Sequence, residues 1–315
     1  MADETPAVRA RAELIKAVPV RHPGRWVAVA VIAILALMFA HTLVTNGQFH
    51  WSFMVDNMFR PPIIEGLRGT IVLTIASMAL GIVLGVGIGI MRLSDNPILR
   101  SVSWVYTWFF RSVPRLVLLA VFGNLAILWR RLELGVPFDR QLGALFGVHD
   151  LNLRLFGFDT LDVLTGFTAG ILALSLSEAA YMAEIVRAGI KSVDSGQLEA
   201  AAALGMSRSK IMRRIVLPQA MRVIVPPTGN ETIAMLKDTS LVLYVPISAE
   251  LFNRLDSVGK QYFLPFPMYV AACLWYLFLT SILLVGQHFV EKRFSRGYGE
   301  AARARQHLRD LSAEH

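Results

Sequence analysis

Ionisable side chains inside long apolar runs are where this chain places residues able to do chemistry. Glu178 and Glu184 fall in the run Val163–Val186, and Glu231, Lys237 and Asp238 in the run Val223–Val245. A charge in hydrocarbon is costly, so such residues are paired, functional or both. Glu178 and Glu184 are six residues apart and point to different sides of a helix, as do Glu231 and Lys237. Lys237 and Asp238 suggest a pair made through a locally bent backbone, with the hydroxyls of Thr239 and Ser240 nearby. A solute carrying both an ammonium and a carboxylate would suit so mixed a region. The competing reading is an internal ion-pair network that holds helices together. Arg111 stands just before Pro114, where a helix must bend or begin, and is expected to serve structure or gating rather than direct binding.

Other chemistries find no support. The G-x-x-x-x-G-K-[ST] pattern is missing: Gly259-Lys260 is followed by Gln261 and has no glycine five residues before it. No H-E-x-x-H and no G-x-S-x-G occurs, and the seven histidines are scattered, so neither a metal site nor a catalytic residue is expected. The chain of 315 residues is 55% hydrophobic and 17% charged, with a mean hydropathy of +0.52. A soluble domain carries about 25% charged residues, so a soluble or disordered chain is excluded and a membrane protein expected. The single cysteine, Cys273, excludes an intramolecular disulfide framework.

Membrane spans must position those charges. Six are expected: Val27–Val44, Gly69–Met91, one near 104–128 with a polar break at its start, Val163–Val186, Val223–Val245 and Tyr262–Val290. The first, over 27–45, reads as a retained anchor following a basic leader over 1–26, because no small-x-small cleavage site succeeds it. With the amino terminus inside, 20 of the 31 Lys and Arg residues fall in inner segments and seven in outer ones, which places both termini in the cytoplasm. The net charge of +8 is thereby a topology signal, and nucleic-acid binding is not needed to explain it. Gly81, Gly85 and Gly89 recur every four residues and make one face of the second span slim, for close helix packing.

The segment 187–222 is polar and basic, yet lies between two spans. It reads as two short helices: an alanine-rich one with Glu199 and Ala200–Ala203, then a bend at Gly205, where a C-terminal cap with positive φ is permitted. Ser207 can cap the next helix, and Pro218 is expected to redirect the chain before the fifth span. A helix of alanines can lie close against another protein's backbone.

Glu199-Ala200-Ala201, Gly205 three residues on, and Ile215-Val216-Leu217-Pro218 after a nine-residue gap resemble the Glu-Ala-Ala…Gly…Ile-x-Leu-Pro signature of bacterial ATP-binding-cassette importer permeases. Glu178–Ile190, Asn230–Leu241 and Gly66–Thr70 are similar to the polar amino acid subfamily, so the likeness spans 64–290. Two departures stand out. Phe110-Arg111-Ser112-Val113-Pro114-Arg115 adds a charge and loses a glutamine relative to the family's Phe-Arg-Gly-Thr-Pro, and the outer loop 130–162 is long.

The resemblance implies an all-α bundle of about six spans with the type I importer permease fold. It implies an ATP-driven importer of polar amino acids, in which this chain holds no cofactor while ATP and Mg²⁺ sit on a cytoplasmic ATPase dimer. It implies a second permease subunit, identical or paralogous, an extracytoplasmic solute-binding protein, and a bacterial inner-membrane location with a basic tail over 291–315. Glu199, Ala200, Ala201, Gly205, Ile215, Leu217 and Pro218 would couple to the ATPase. Arg111, Pro114, Glu178, Asn230, Glu231, Lys237, Asp238, Thr239 and Ser240 would line the pathway or a gate. An ion-coupled secondary transporter or channel, using Glu178, Glu231 and Asp238 as proton or sodium sites, is the alternative.

Overall fold

The computed structural model describes residues 23–135, 154–245, 247 and 249–294. Most of the basic leader, most of the basic tail and the middle of the outer loop lie outside them. The chain divides into two units after Phe49. The first holds α1 (Pro23–Thr45) and a 3-10 turn at Gly47–Phe49. Apolar on all sides and almost wholly exposed, α1 has no polar face to show to water, which suits a helix surrounded by lipid.

The second unit begins with α2 (Trp51–Asn57) and α3 (Pro61–Arg92), whose proline lies at the helix start, where a missing N–H costs nothing. Next come α4 (Pro97–Ser112), α5 (Arg115–Gly123) and the short α6 (Leu125–Leu128). Strands β1 (Arg131–Gly135) and β2 (Arg154–Asp159) pair antiparallel, with Leu132 opposite Phe158, and form the only β structure among the described residues. Then follow α7 (Thr160–Val163), α8 (Gly166–Lys191), α9 (Ser195–Ala203), α10 (Arg208–Ile211) and α11 (Leu217–Asp238). A 3-10 segment (Thr239–Tyr244), α12 (Leu251–Gln261) and α13 (Pro265–Phe294) complete the unit.

Glycine sets the largest interface, α3 on α8. A Cβ at Gly81 would stand 2.8 Å from that of Glu178, and Cβ atoms at Gly85 and Gly89 would each lie 3.0 Å from carbonyl oxygens, of Ala179 and Ala183. The contacts advance together along both helices, so α3 and α8 run parallel with backbones nearly touching. Lipid supplies no hydrophobic drive between helices, so such packing is what holds them. At its far end α8 places Gly189 against Ile224 and the Ala220 carbonyl, while its middle approaches the opposite end of α11. Those two helices are therefore antiparallel.

Among the described residues, four helices are long and apolar enough to cross a membrane: α1, α3, α8 and α13. The pair α4 and α5 would make a fifth span, bent by 98°. The bend lies in the middle of this span and not at its start, as the sequence suggested. Val113 is extended, as a residue before proline must be, and Pro114 opens α5. Fifth in chain order among the expected spans, α11 is less apolar, since it carries Arg222, Glu231, Lys237 and Asp238 and two internal prolines, yet it runs alongside α8.

Pro218 does not redirect the chain. Helical backbone continues from Arg208 to Asp238 through a π turn over Met212–Val216. The wider turn just ahead of Pro218 absorbs its missing N–H and the bulk of its ring.

Candidate functional site

Arg115, the first residue of α5, is the centre of a charge cluster. Its Nη2 donates to Glu178 Oε2 at 2.9 Å and lies 3.5 Å from Glu231 Oε2, while Nη1 donates to Asp238 Oδ2. The guanidinium lies 5.0 Å from the centroid of the Tyr181 ring, and that of Arg111 lies 5.4 Å from the same ring. Each element contributes by simple geometry. The break at Pro114 aims the start of α5 at the middle of α8. Glu231 and Asp238 are seven residues apart and share one face of α11. Glu178 and Tyr181 share a face of α8 for the same reason.

Three carboxylates thus surround one guanidinium. Glu178 is fully buried, and its Oε1 has no hydrogen-bond partner. The helix dipole opposes a cation at the start of α5, so these acids hold Arg115 there. Removing one partner of a buried pair costs about 3–5 kcal/mol, because it leaves a charge uncompensated.

In the sequence Arg115 stands out only as an added charge relative to the family pattern, not as a site residue. The adjacent Lys237 and Asp238, expected to pair, do not. Lys237 is exposed instead, on another face of α11, and Asp238 turns to Arg115. The seven-residue spacing of Glu231 and Asp238 was the available signal: two acids on one apolar helix face call for a cation on a neighbouring element. The hydroxyls of Thr239 and Ser240 bond back to the carbonyls of Leu236 and Lys237, both at 2.7 Å, and close the end of α11. Asn230 is exposed and accepts from Gln287 Nε2 at 2.9 Å, which joins α11 to α13. Glu184 belongs elsewhere, held by Arg187 at 2.6 Å and Arg92 at 3.4 Å.

A second buried carboxylate, Glu250, was not anticipated. It accepts from Thr70 Oγ1 at 2.9 Å, from the Asn253 N–H at 3.0 Å and from the Tyr276 hydroxyl, tying α3 and α13 to the start of α12.

At the Lys191 end of α8 the chain forms an elbow. Asp194 caps α9 by accepting from the Gly196 N–H at 2.7 Å. The helix stops in a Schellman turn: Gly205 has φ +75°, its N–H donates to Ala202, and the Met206 N–H donates to Ala201. Ala201 is buried, and the elbow has its own core of Val216, Ala220 and Ile224, with Leu198 and Ile211 against it. Gln219 binds Gln197 at 2.6 Å and so fastens the elbow to α11. Glu199, Ala200 and Gly205 face outward, and Leu204 is 82% exposed at the tip. Ile215 is half-buried, while Leu217 and Pro218 are exposed. Ser207 sits at the expected N-cap with extended backbone, but its side chain makes no capping bond.

Two features frame the cluster, a continuous helix from the elbow to Asp238 and a parallel glycine seam between α3 and α8, in a polytopic bundle of apolar helices. Residues 77–296 match the family model described as binding-protein-dependent transport system inner membrane component, and the chain belongs to that family. It is 44% identical over 300 residues to the arginine transport system permease protein ArgU of Corynebacterium glutamicum, covering 95% of this chain and 89% of that one. It is 32% identical to a probable glutamine ABC transporter permease protein of Bacillus subtilis, over 74% of this chain and 94% of the relative. A crystal structure of an amino acid ABC transporter with histidines superposes with a TM-score of 0.60 at 30% identity, covering 77% of this chain and 98% of that one. The chain is therefore a multi-pass component of a binding-protein-dependent transporter, and the ion-coupled carrier or channel is set aside.

Proposed function

We propose that this chain is the permease subunit of an ATP-driven amino acid importer that prefers solutes with cationic side chains. One observation carries the preference: Glu178, Glu231 and Asp238 place more negative charge in the bundle than Arg115 alone offsets. Charge excess of one sign along a pathway favours entry of the other sign. The printed function of the C. glutamicum relative agrees with this.

In this reading the elbow is the coupling element. Glu199, Ala200, Gly205 and the exposed Leu204 dock in a groove of a cytoplasmic ATPase, which holds the ATP and Mg²⁺. Two ATPases approach one another on binding ATP and draw the elbows with them. Because α9 is fastened to α11 through Gln197 and Gln219, the motion reaches Glu231 and Asp238 along one helix. Arg111, Pro114 and the charge cluster form the gate. A second permease subunit completes the pathway, a solute-binding protein delivers the solute from outside, and both termini lie in the cytoplasm of a bacterial inner membrane.

The test is ATP-dependent uptake in proteoliposomes holding the assembled transporter and its solute-binding protein. Labelled arginine and lysine should accumulate and glutamine should not. Accumulation of glutamine alone would refute the cationic preference, and uptake without ATP would refute the energy source.

A further inference from the structure

The cluster around Arg115 has the form of a guanidinium-binding site that is already filled by the protein. Carboxylates meet the edge of the planar fork, at 2.9 Å for Glu178 and through Nη1 for Asp238, while the guanidinium carbon lies over the Tyr181 ring, 5.0 Å from its centroid. Edge-on carboxylates and a face-on aromatic ring are how proteins recognise guanidinium groups in general. The site also offers more than its occupant uses. Glu178 is fully buried, yet its Oε1 has no partner, and Glu231 is reached only at 3.5 Å. The free Oε1 of Glu178 is thus an open acceptor beside the guanidinium, able to take a further donor.

We infer that Arg115 is a tethered competitor of the solute: its guanidinium holds Glu178, Glu231 and Asp238 when the pathway is empty and is displaced when a solute guanidinium or ammonium takes the site. This rests on the cationic-solute reading. The tether is built for release. Arg115 is the first residue after the break at Pro114, so a small turn of α5 against α4 withdraws it, and the Arg111 guanidinium also lies over the Tyr181 ring, 5.4 Å from its centroid. The exchange also keeps the carboxylates matched with a cation throughout, since one guanidinium leaves as another arrives.

A resident competitor lowers apparent affinity by the fraction of time it occupies the site. The experiment measures binding of methylguanidinium to the detergent-solubilised full transporter without solute-binding protein, for the wild type, Arg115→Ala and the double variant Arg115→Ala with Glu178→Gln. Arg115→Ala is expected to bind methylguanidinium more tightly than wild type by about ten-fold or more, and the double variant to lose that gain. Equal or weaker binding by a monodisperse Arg115→Ala transporter would overturn the inference and make Arg115 a structural pin. If Arg115→Ala does not assemble, Arg115→Lys keeps the charge and gives up the planar fork. It should then bind the probe tighter than wild type by about three-fold, and no gain would overturn the inference. Because the probe is a bare guanidinium and no transport is measured, this result is read independently of the uptake panel, which alone decides the solute.

Discussion

Gly81 and Glu178 are in backbone-to-side-chain contact: a Cβ on the glycine would lie 2.8 Å from both the Cβ and the Cγ of the glutamate. The slim face of α3 thus does more than let two helices approach. It fixes the height and direction of the one fully buried acid in the charge cluster.

Gly81→Ala should therefore damage transport through Glu178. Overpacking of this kind costs about 1–3 kcal/mol, and the side chain that must give way is the one that grips Arg115. We expect a lower melting temperature and a clear fall in uptake. Gly87→Ala is the control, because a Cβ there meets nothing within 4 Å. Equal behaviour of the two variants would disprove the role given to Gly81.

At the elbow, Gly205 has φ +75° with open space around it, so conformation and not crowding selects glycine. A β-branched residue there is strained by about 1–2 kcal/mol. Gly205→Val should insert and assemble but hydrolyse ATP without matching uptake. Asn tolerates this backbone region, so Gly205→Asn should keep much of the coupling. Coupled transport by Gly205→Val would rule out the elbow as the transmission element.

Lys237 and Asp238 are sequence neighbours with different surroundings, one exposed and the other bonded to Arg115. Asp238→Asn should reduce uptake by about ten-fold or more, as removal of a charged partner does, and Lys237→Ala by no more than about two-fold. The reverse order, measured as initial rates at equal transporter density, would contradict the placement of the cluster.

Glu250 serves as N-cap of α12 and as the junction of Thr70 and Tyr276. Glu250→Leu leaves a buried N–H and two hydroxyls without their acceptor, at about 1–3 kcal/mol for such a group. Glu250→Gln keeps an acceptor and should lose much less. Thermal unfolding of the two variants separates a hydrogen-bonding role from a purely charged one.

The spans, the elbow and the glycine seam were legible because each follows from local rules. An apolar run of span length, a glycine after alanines and a four-residue repeat of small residues need no partner to be read. The alanine-rich helix expected around Glu199 and Ala200–Ala203 is observed as Ser195–Ala203. What was not legible depends on pairs far apart in sequence. Arg115 meets Glu178 and Asp238 across 63 and 123 residues, and Thr70 meets Glu250 across 180. Pro218 misled for a different reason: a proline tells that an N–H is missing, but not whether the helix before it breaks or widens.

The π turn over Met212–Val216 has a further consequence, for rotation about the helix axis. Each residue of an α-helix turns about 100°, so a π turn shifts the phase of everything beyond it by roughly that angle. The face that α10 turns toward α9 and the face that α11 turns toward Arg115 are thus set independently of the helix length between them. Deleting one residue from 212–216 would restore a uniform helix of nearly the same length. It would leave α10 and α11 in the same relative orientation, whereas straightening the turn with every residue kept would rotate the elbow by roughly 100° against the charge cluster.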